Sequence, residues 1–335
     1  MEGNKGFTNC GNTCYMNSAL QCLIHLPELN PRENEIFKSD LRKSTNKEFK
    51  LLKQWIQLYK EMWYENGSVI QTIPFIKTFI QRCDEEGIYF DVHQQNDVSE
   101  FLNGFITILH EEICRSVTIT PSGDPKDEMD NLQVKSIETW NGYFNEKYSF
   151  IIKDFHLQAI NGTSCPECNY LTTNFDPMLL ISLDINEDNE SIYDCLDSYT
   201  KEYTLDSDNL WKCDKCHKEV KCEKRNKFWK LPDILIIMIK QYNDNTRKID
   251  KFLEYPLDLN MESYSFNYKN ECLDYELQSM CIHSGGLGGG HYYAFCKNFI
   301  DDEWRQYNDQ HVSDPLDDGT ILKQKPYCLF YKRSG

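Results

Sequence analysis

The chain has 335 residues, 40% hydrophobic and 13% aromatic, enough for the core of one large domain or two smaller ones. Its formal net charge of -17 and pI near 4.9 argue against a general phosphate-binding surface, and so against nucleic acid, and suit a partner with a basic face or tail. No run of about eighteen apolar residues occurs, so no transmembrane helix and no membrane partner are expected. The opening MEGNKGFTNCGN has no apolar signal core, which predicts a reducing compartment, cytoplasmic or nuclear.

In chain order, Gly11, Asn12 and Thr13 form a turn-prone run that includes a side chain suited to cap a helix. Cys14 then opens a segment with apolar residues at Tyr15, Ala19, Leu20, Leu23 and Ile24, a helical period that stops before Pro27. At the first helical position, unpaired N–H groups and the dipole favour a thiolate. That suits a nucleophile, although many such cysteines are only buried. Phe49 to Trp63 and Asp97 to Ile113 are amphipathic at a helical period. Thr120 to Asn131, TPSGDPKDEMDN, reads as an exposed linker. Beyond it Tyr148–Ile160, Thr172–Ile185, Ile234–Tyr242, HYYAFCKN and EWRQYND are short β-rich runs, and NEDNES is a solvated loop. The first part is mostly α and the second mostly β, an α+β pattern without internal repeats.

The 15 cysteines are scattered through a chain without an export signal, so they are expected to be free, metal-bound or catalytic. SCPECNY sets Cys165 and Cys168 two residues apart, and KCDKCH does the same for Cys213 and Cys216. Two such knuckles at the ends of hairpins make a closed thiolate site for one structural zinc ion. Redox or idle pairs are the competing reading. His217 and Cys222 rank behind the two pairs as ligands.

Eight histidines compete to serve Cys14 as general base. His25 lies on the same helix and points away. His93, His110, His156 and His217 have no special setting, and His283 and His311 are weaker rivals. His291 follows Ser284–Gly290, a glycine-rich run that allows close backbone approach, and begins the strand HYYAFCKN. EWRQYND returns after the turn at Asp301 and Asp302, so a hairpin brings Asn308 near His291. Asn308 can then accept the imidazole N–H and fix its tautomer, the third-member role of a Cys–His–Asn arrangement. Asp309 beside it is left between adding charge and only reaching water.

These residues resemble the ubiquitin-specific cysteine proteases. GFTNCGNTCYMNSALQ is similar to that family's cysteine box, and GGGHYYAF with WRQYNDQHV to its histidine box. QQNDVSEF resembles the Gln-Asp-Glu box, and CPEC and CDKC followed by FWKLPDILIIMIKQY the zinc knuckles and the segment after them. The resemblance runs in order from residue 6 to 331. It implies one papain-like catalytic domain over residues 1–335. The thumb would take about 1–118, the linker and start of the palm 119–160, zinc-bearing β fingers 161–230, and the palm 231–335.

It further implies Cys14 as nucleophile, His291 as base, Asn308 as orienting residue and Asn9 as oxyanion donor. Asp97 and Glu100 would hold arginines of ubiquitin's C-terminal tail, although a capping carboxylate at a helix start is the plainer account of both. Gln95, Gly290 and Tyr292 complete the expected substrate contacts. The glycine run and Asn243–Lys248 occupy the places of two mobile loops over the tail. QND stands for the commoner QQD and IKQY for LKRF, which removes a basic residue. The implied activity is hydrolysis of the bond after ubiquitin's terminal glycine by a monomer acting on ubiquitin conjugates. A silent ubiquitin-binding module, a protease for another ubiquitin-like modifier and a zinc-ribbon nucleic-acid protein are the alternatives.

Overall fold

The computed structural model describes residues 2–44, 48–90, 96–206, 208–243, 247–266, 271–286 and 289–334. Its centre is the helix Cys14–Ile24, every residue of which is buried. A helix buried all round needs apolar or small side chains on most faces, and CYMNSALQCLI supplies them, while the Asn17 and Gln21 amides and the Ser18 hydroxyl each donate a hydrogen bond. It ends where the His25 ring nitrogens sit 2.8 Å from the Gln21 carbonyl and 3.2 Å from the Gly3 carbonyl, ahead of Pro27.

On one side lie the helices Lys50–Trp63, Ile73–Glu85 and Val98–Ile113, joined by rings of Trp55, Phe75, Phe79, Phe101 and Phe105. Glu112 is wholly buried here. Its carboxylate accepts the N–H groups of Leu51 (2.9 Å) and Leu52 (2.8 Å) at the start of Lys50–Trp63, and meets Arg82 at 3.2 Å. Removing Arg82 would strand that charge in the core.

On the other side is a sheet of eight strands. In spatial order run His311–Val312, Trp304–Asn308, Gly289–Lys297, Asp274–Gly286, Pro326–Arg333, Ile234–Lys240 and Ile181–Asp184, with Asp258–Asn260 beside Asp274–Gly286. Both faces are covered, which is why Ile234–Lys240 is a continuous apolar run rather than an alternating one. Ile234 and Ile236 pack with the helical layer, while Leu235 and Ile237 pack into a second core with Ile282, Phe295 and Tyr331.

A smaller sheet, in the order Leu171–Met178, Leu157–Ser164, Glu223–Lys230 and Tyr203–Thr204, carries the two cysteine pairs beyond its end. Among the helices that escape the sequence reading, besides the short Asp318–Ile321, are three larger ones. Phe150–Phe155 lies inside the run read as β-rich, because a short apolar stretch does not distinguish a buried helix from a strand. Its first N–H donates to the buried carboxylate of Asp40 at 2.6 Å, which fixes the helical start. Glu128–Tyr143 begins within the expected linker and buries only Ser136 and Trp140, too few for a clear apolar stripe. Ile192–Thr200 starts from a capping box of Ser191 and Asp194 directly after the acidic loop. Among the described residues no helix is long and apolar enough to cross a membrane.

Candidate active site

The site is assembled from the two ends of the numbering. Gly6–Phe7 pairs with Val69–Ile70, and the Phe7 N–H donates to the Asp309 carbonyl at 2.8 Å. A Cβ on Gly6 would lie 2.4 Å from the Gln310 carbonyl, so only glycine lets this strand pass the turn after Asn308. Gly11 turns the chain at φ +106°. Thr13 occupies the N-cap position but makes no cap bond. Its hydroxyl instead accepts the Cys10 N–H at 3.0 Å and donates to Asn9 Oδ1 at 3.2 Å, bracing the loop rather than the helix.

Cys14 is the first residue of its helix and 4% exposed. Burial pushes its thiol up, the Tyr292 backbone amide opposes that, and the nearby Asp309 charge adds to it. The amides of Tyr15 and Cys14 also favour the thiolate, yet burial outweighs them. The helix start thus favours the thiolate, as its position suggests, but by less than burial opposes it. A base must take the proton.

His291 Nε2 lies 2.7 Å from Asn308 Oδ1. The strand register, with Ala294 opposite Tyr307, sets Asn308 opposite Tyr293 and so diagonal to His291 on one face. When Nε2 donates to this oxygen, Nδ1 is left as the basic nitrogen. Asp309 has φ 48°, a left-handed turn residue, and one of its oxygens is 4.0 Å from His291 Nε2. Its stronger partners are Asn9 Nδ2, which donates to Oδ2 at 2.9 Å, and Asn17 Nδ2, which donates to Oδ1 at 2.8 Å. Asn17 was not foreseen. The available signal was an asparagine one helical turn from Cys14 on the same helix, now 2% exposed.

Asp97 caps the helix Val98–Ile113 through a 2.7 Å bond from the Ser99 N–H, and its other oxygen accepts the Tyr327 hydroxyl from the central sheet. Glu100 is exposed one turn on, and Gln95 lies outside the described residues, as do residues 244–246 and 287–288 of the two loop segments. A Cβ on Gly290 would meet His283 Nε2 at 2.1 Å, so glycine there answers to an internal neighbour. Tyr292 is 7% exposed, its ring against His283 and Tyr327. His283 bonds the Tyr242 hydroxyl at 3.1 Å, and burial, with Lys248 beside it, lowers its pKa to about 4. His311 is exposed.

The cysteine pairs form two like knuckles. In each, the first cysteine accepts an N–H from the residue after the second, and that residue, Asn169 or His217, has φ 56° or 58°. His217 is thus a turn residue here, and Cys222 is buried nearby without joining the set. The four Sγ atoms lie within 4.8 Å of one another, with Cys165–Cys216 at 3.8 Å and Cys168–Cys213 at 3.7 Å. Tetrahedral bonds of about 2.3 Å separate thiolates by roughly 3.8 Å, so the group fits a zinc ion and could hold one.

A helical layer with a cysteine at the start of its buried helix, packed on a sheet that bears a histidine and an asparagine, is the mixed fold of the papain-like cysteine hydrolases. The ubiquitin carboxyl-terminal hydrolase family model matches residues 5–331, and the chain belongs to that family. Ubiquitin carboxyl-terminal hydrolase 2 of Homo sapiens is 31% identical over 341 residues, covering 99% of this chain and 55% of the relative. Ubiquitin carboxyl-terminal hydrolase Usp2 of Drosophila melanogaster is also 31% identical, with 99% and 35% covered. The chain thus spans only about a third to a half of the length of these two relatives. The solved SAGA Ubp8/Sgf11/Sus1/Sgf73 DUB module bound to ubiquitin aldehyde is similar at 25% identity and TM-score 0.73, with 100% of this chain and 70% of that chain covered.

Proposed function

We propose that the chain is a deubiquitinating thiol isopeptidase that cuts the bond after ubiquitin's C-terminal glycine. The observation that carries this reading is the 2.7 Å bond from His291, on the strand whose Tyr292 amide meets Cys14, to Asn308 on the next strand. His291 Nδ1 takes the thiol proton, and the Cys14 thiolate attacks the glycine carbonyl. One Asn9 amide hydrogen is bonded to Asp309, and the other is available to the developing oxyanion. The imidazolium returns its proton to the leaving lysine amine. Water, deprotonated by the same histidine, then hydrolyses the acyl-enzyme. In this scheme Asn308 fixes the tautomer, and Asp309 anchors the asparagines more than it serves the imidazole.

Asp97, Glu100, Gln95, Gly290 and Tyr292 line the approach of ubiquitin's tail, Asp97 exchanging the Tyr327 hydroxyl for an arginine. Residues 1–118 act as thumb, 161–230 as fingers and 231–335 as palm. Cys165, Cys168, Cys213 and Cys216 hold one zinc ion whose part is structural, since four thiolates leave no position for water. The chain works as a monomer in a reducing compartment. An electrophilic ubiquitin probe tests the reading. It is expected to attach to the wild type and not to Cys14→Ala, which should still bind ubiquitin. Absence of an adduct with the wild type would mark a silent receptor, and reaction only with another modifier would reassign the substrate.

A further inference from the structure

His283 lies on the strand Asp274–Gly286, directly opposite Tyr292, with Ser284 opposite His291 and Gly285 opposite Gly290. Alternation along the two strands sets His283, Gly290 and Tyr292 on one face and His291 on the other. The buried His283 ring sits between those of Tyr292, 4.5 Å away between centroids, and Tyr327, at 5.9 Å. Its Nε2 is aimed at Gly290, where a Cβ would come within 2.1 Å.

Its other nitrogen is anchored. Nδ1 lies 3.1 Å from the Tyr242 hydroxyl and 3.4 Å from Lys248 Nζ. A hydroxyl serves either tautomer, but an ammonium only donates, so Nδ1 is the acceptor and the proton of the neutral ring sits on Nε2. Lys248 Nζ also donates to the carbonyls of His283 (2.8 Å) and Gly285 (3.1 Å), so one ammonium holds both the ring and the strand that carries it. Burial keeps the ring neutral, with its pKa at about 4. Lys248 and His291 push the same way, and Asp97, bonded to the Tyr327 hydroxyl, opposes them.

The residues after Gly290 bring the two groups that Cys14 needs, the His291 imidazole and the Tyr292 amide. Glycine has no side chain to fix its own backbone, so what packs against it decides where the strand runs. We propose that His283 is a positioning residue for the Cys14–His291 pair. Anchored by Lys248 and Tyr242, it packs against Gly290 and sets where the next two residues present their imidazole and amide. Lys248 and the glycine run belong to the two segments expected over ubiquitin's tail, so a single ammonium ties that cover to the base beside it. The inference takes the roles of Cys14 and His291 from the proposed isopeptidase activity.

The test reads kcat and KM on ubiquitin bearing a small aromatic amide, and the pH dependence of Cys14 alkylation by iodoacetamide, which needs no ubiquitin. His283→Ala is expected to lower kcat about tenfold to hundredfold with KM within about twofold, as when reacting groups are displaced and binding is kept. Its alkylation should rise at a higher pH than in wild type, because a displaced imidazole no longer takes the thiol proton. A variant that is only less stable would be slower by one factor at every pH. Gly290→Ala should lose a similar share of kcat, and His283→Ala/Gly290→Ala should recover about fivefold over Gly290→Ala, since the added methyl then has room. Lys248→Met keeps the ring but frees its tautomer. Nitrogen-15 NMR of histidine-labelled protein should show one His283 tautomer in wild type and two in this variant, with kcat lowered about threefold. If His283→Ala does not fold, Lys248→Met decides. Unchanged kcat in His283→Ala, losses that multiply in the double variant, or a single tautomer kept in Lys248→Met overturns the proposal. A loss confined to KM overturns it equally and makes His283 part of the tail's binding surface. If wild type leaves the amide uncut, the isopeptidase reading fails, and the alkylation profiles still decide whether His283 positions the pair.

Discussion

The seam that holds Cys14 and the tip that holds the cysteine pairs are built on opposite principles. At the seam, Asn17 and Asp309 meet across 292 residues of sequence, and everything around them is packed between a buried helix and a sheet covered on both faces. At the tip, each knuckle is a local turn, and among the described residues Cys165 and Cys213 share a buried cluster with only Val220 and Cys222. Burial stabilises the first. The second has almost no core, so its order depends on what its thiolates bind. Chemistry that needs fixed distances belongs on the first kind of scaffold, and a surface that must only be held out belongs on the second.

The largest effect is expected from Asp309→Ala, which releases both asparagines at the seam. Loss of a positioned oxyanion donor costs about 100-fold in kcat. Because the Asp309 charge raises the Cys14 thiol pKa, the same variant should lower that pKa, as read by pH-dependent alkylation. A slower enzyme with a more acidic thiol would separate positioning from activation, and a raised thiol pKa would refute this account. At the tip, a chelator should strip one metal ion per chain and remove hydrogen-exchange protection from the knuckles, leaving Cys14–Ile24 protected. Equal loss in both regions would erase the contrast.

Acid should loosen the seam as well. His25 and His110 are held near pKa 4 and His156 near 3, all chiefly by burial, so each is neutral when folded. Their folded pKa values lie below the unfolded value of about 6.5. The stability they lend is therefore full above that pH and declines as pH falls towards about 4. Circular dichroism should follow unfolding in that window, and His110→Asn should weaken its pH dependence. Asn17→Ala leaves Asp309 one anchor and should lower kcat about tenfold, within the range for a hydrogen bond to a charged group. The smallest effect is expected from Tyr327→Phe, which frees the Asp97 carboxylate and should lower KM for ubiquitin substrates about twofold.

What sequence reading recovered follows the same division. The CxxC spacing is local, so the four thiols that cluster could be named without a fold. His291 and Asn308 were legible because one short turn sets their register. Asn17 with Asp309 and Asp97 with Tyr327 were not, since each joins segments more than 200 residues apart through side chains that local periodicity does not describe. The Phe150–Phe155 helix was missed because burial on all sides removes the alternation that distinguishes helix from strand.

The strand Pro326–Arg333 is the last of the central sheet in chain order, yet it lies in the sheet's interior, between Asp274–Gly286 and Ile234–Lys240. During synthesis those two strands wait with facing edges unsatisfied until it emerges. A ribosome that stops short of it therefore releases two half-sheets rather than one slightly shortened sheet.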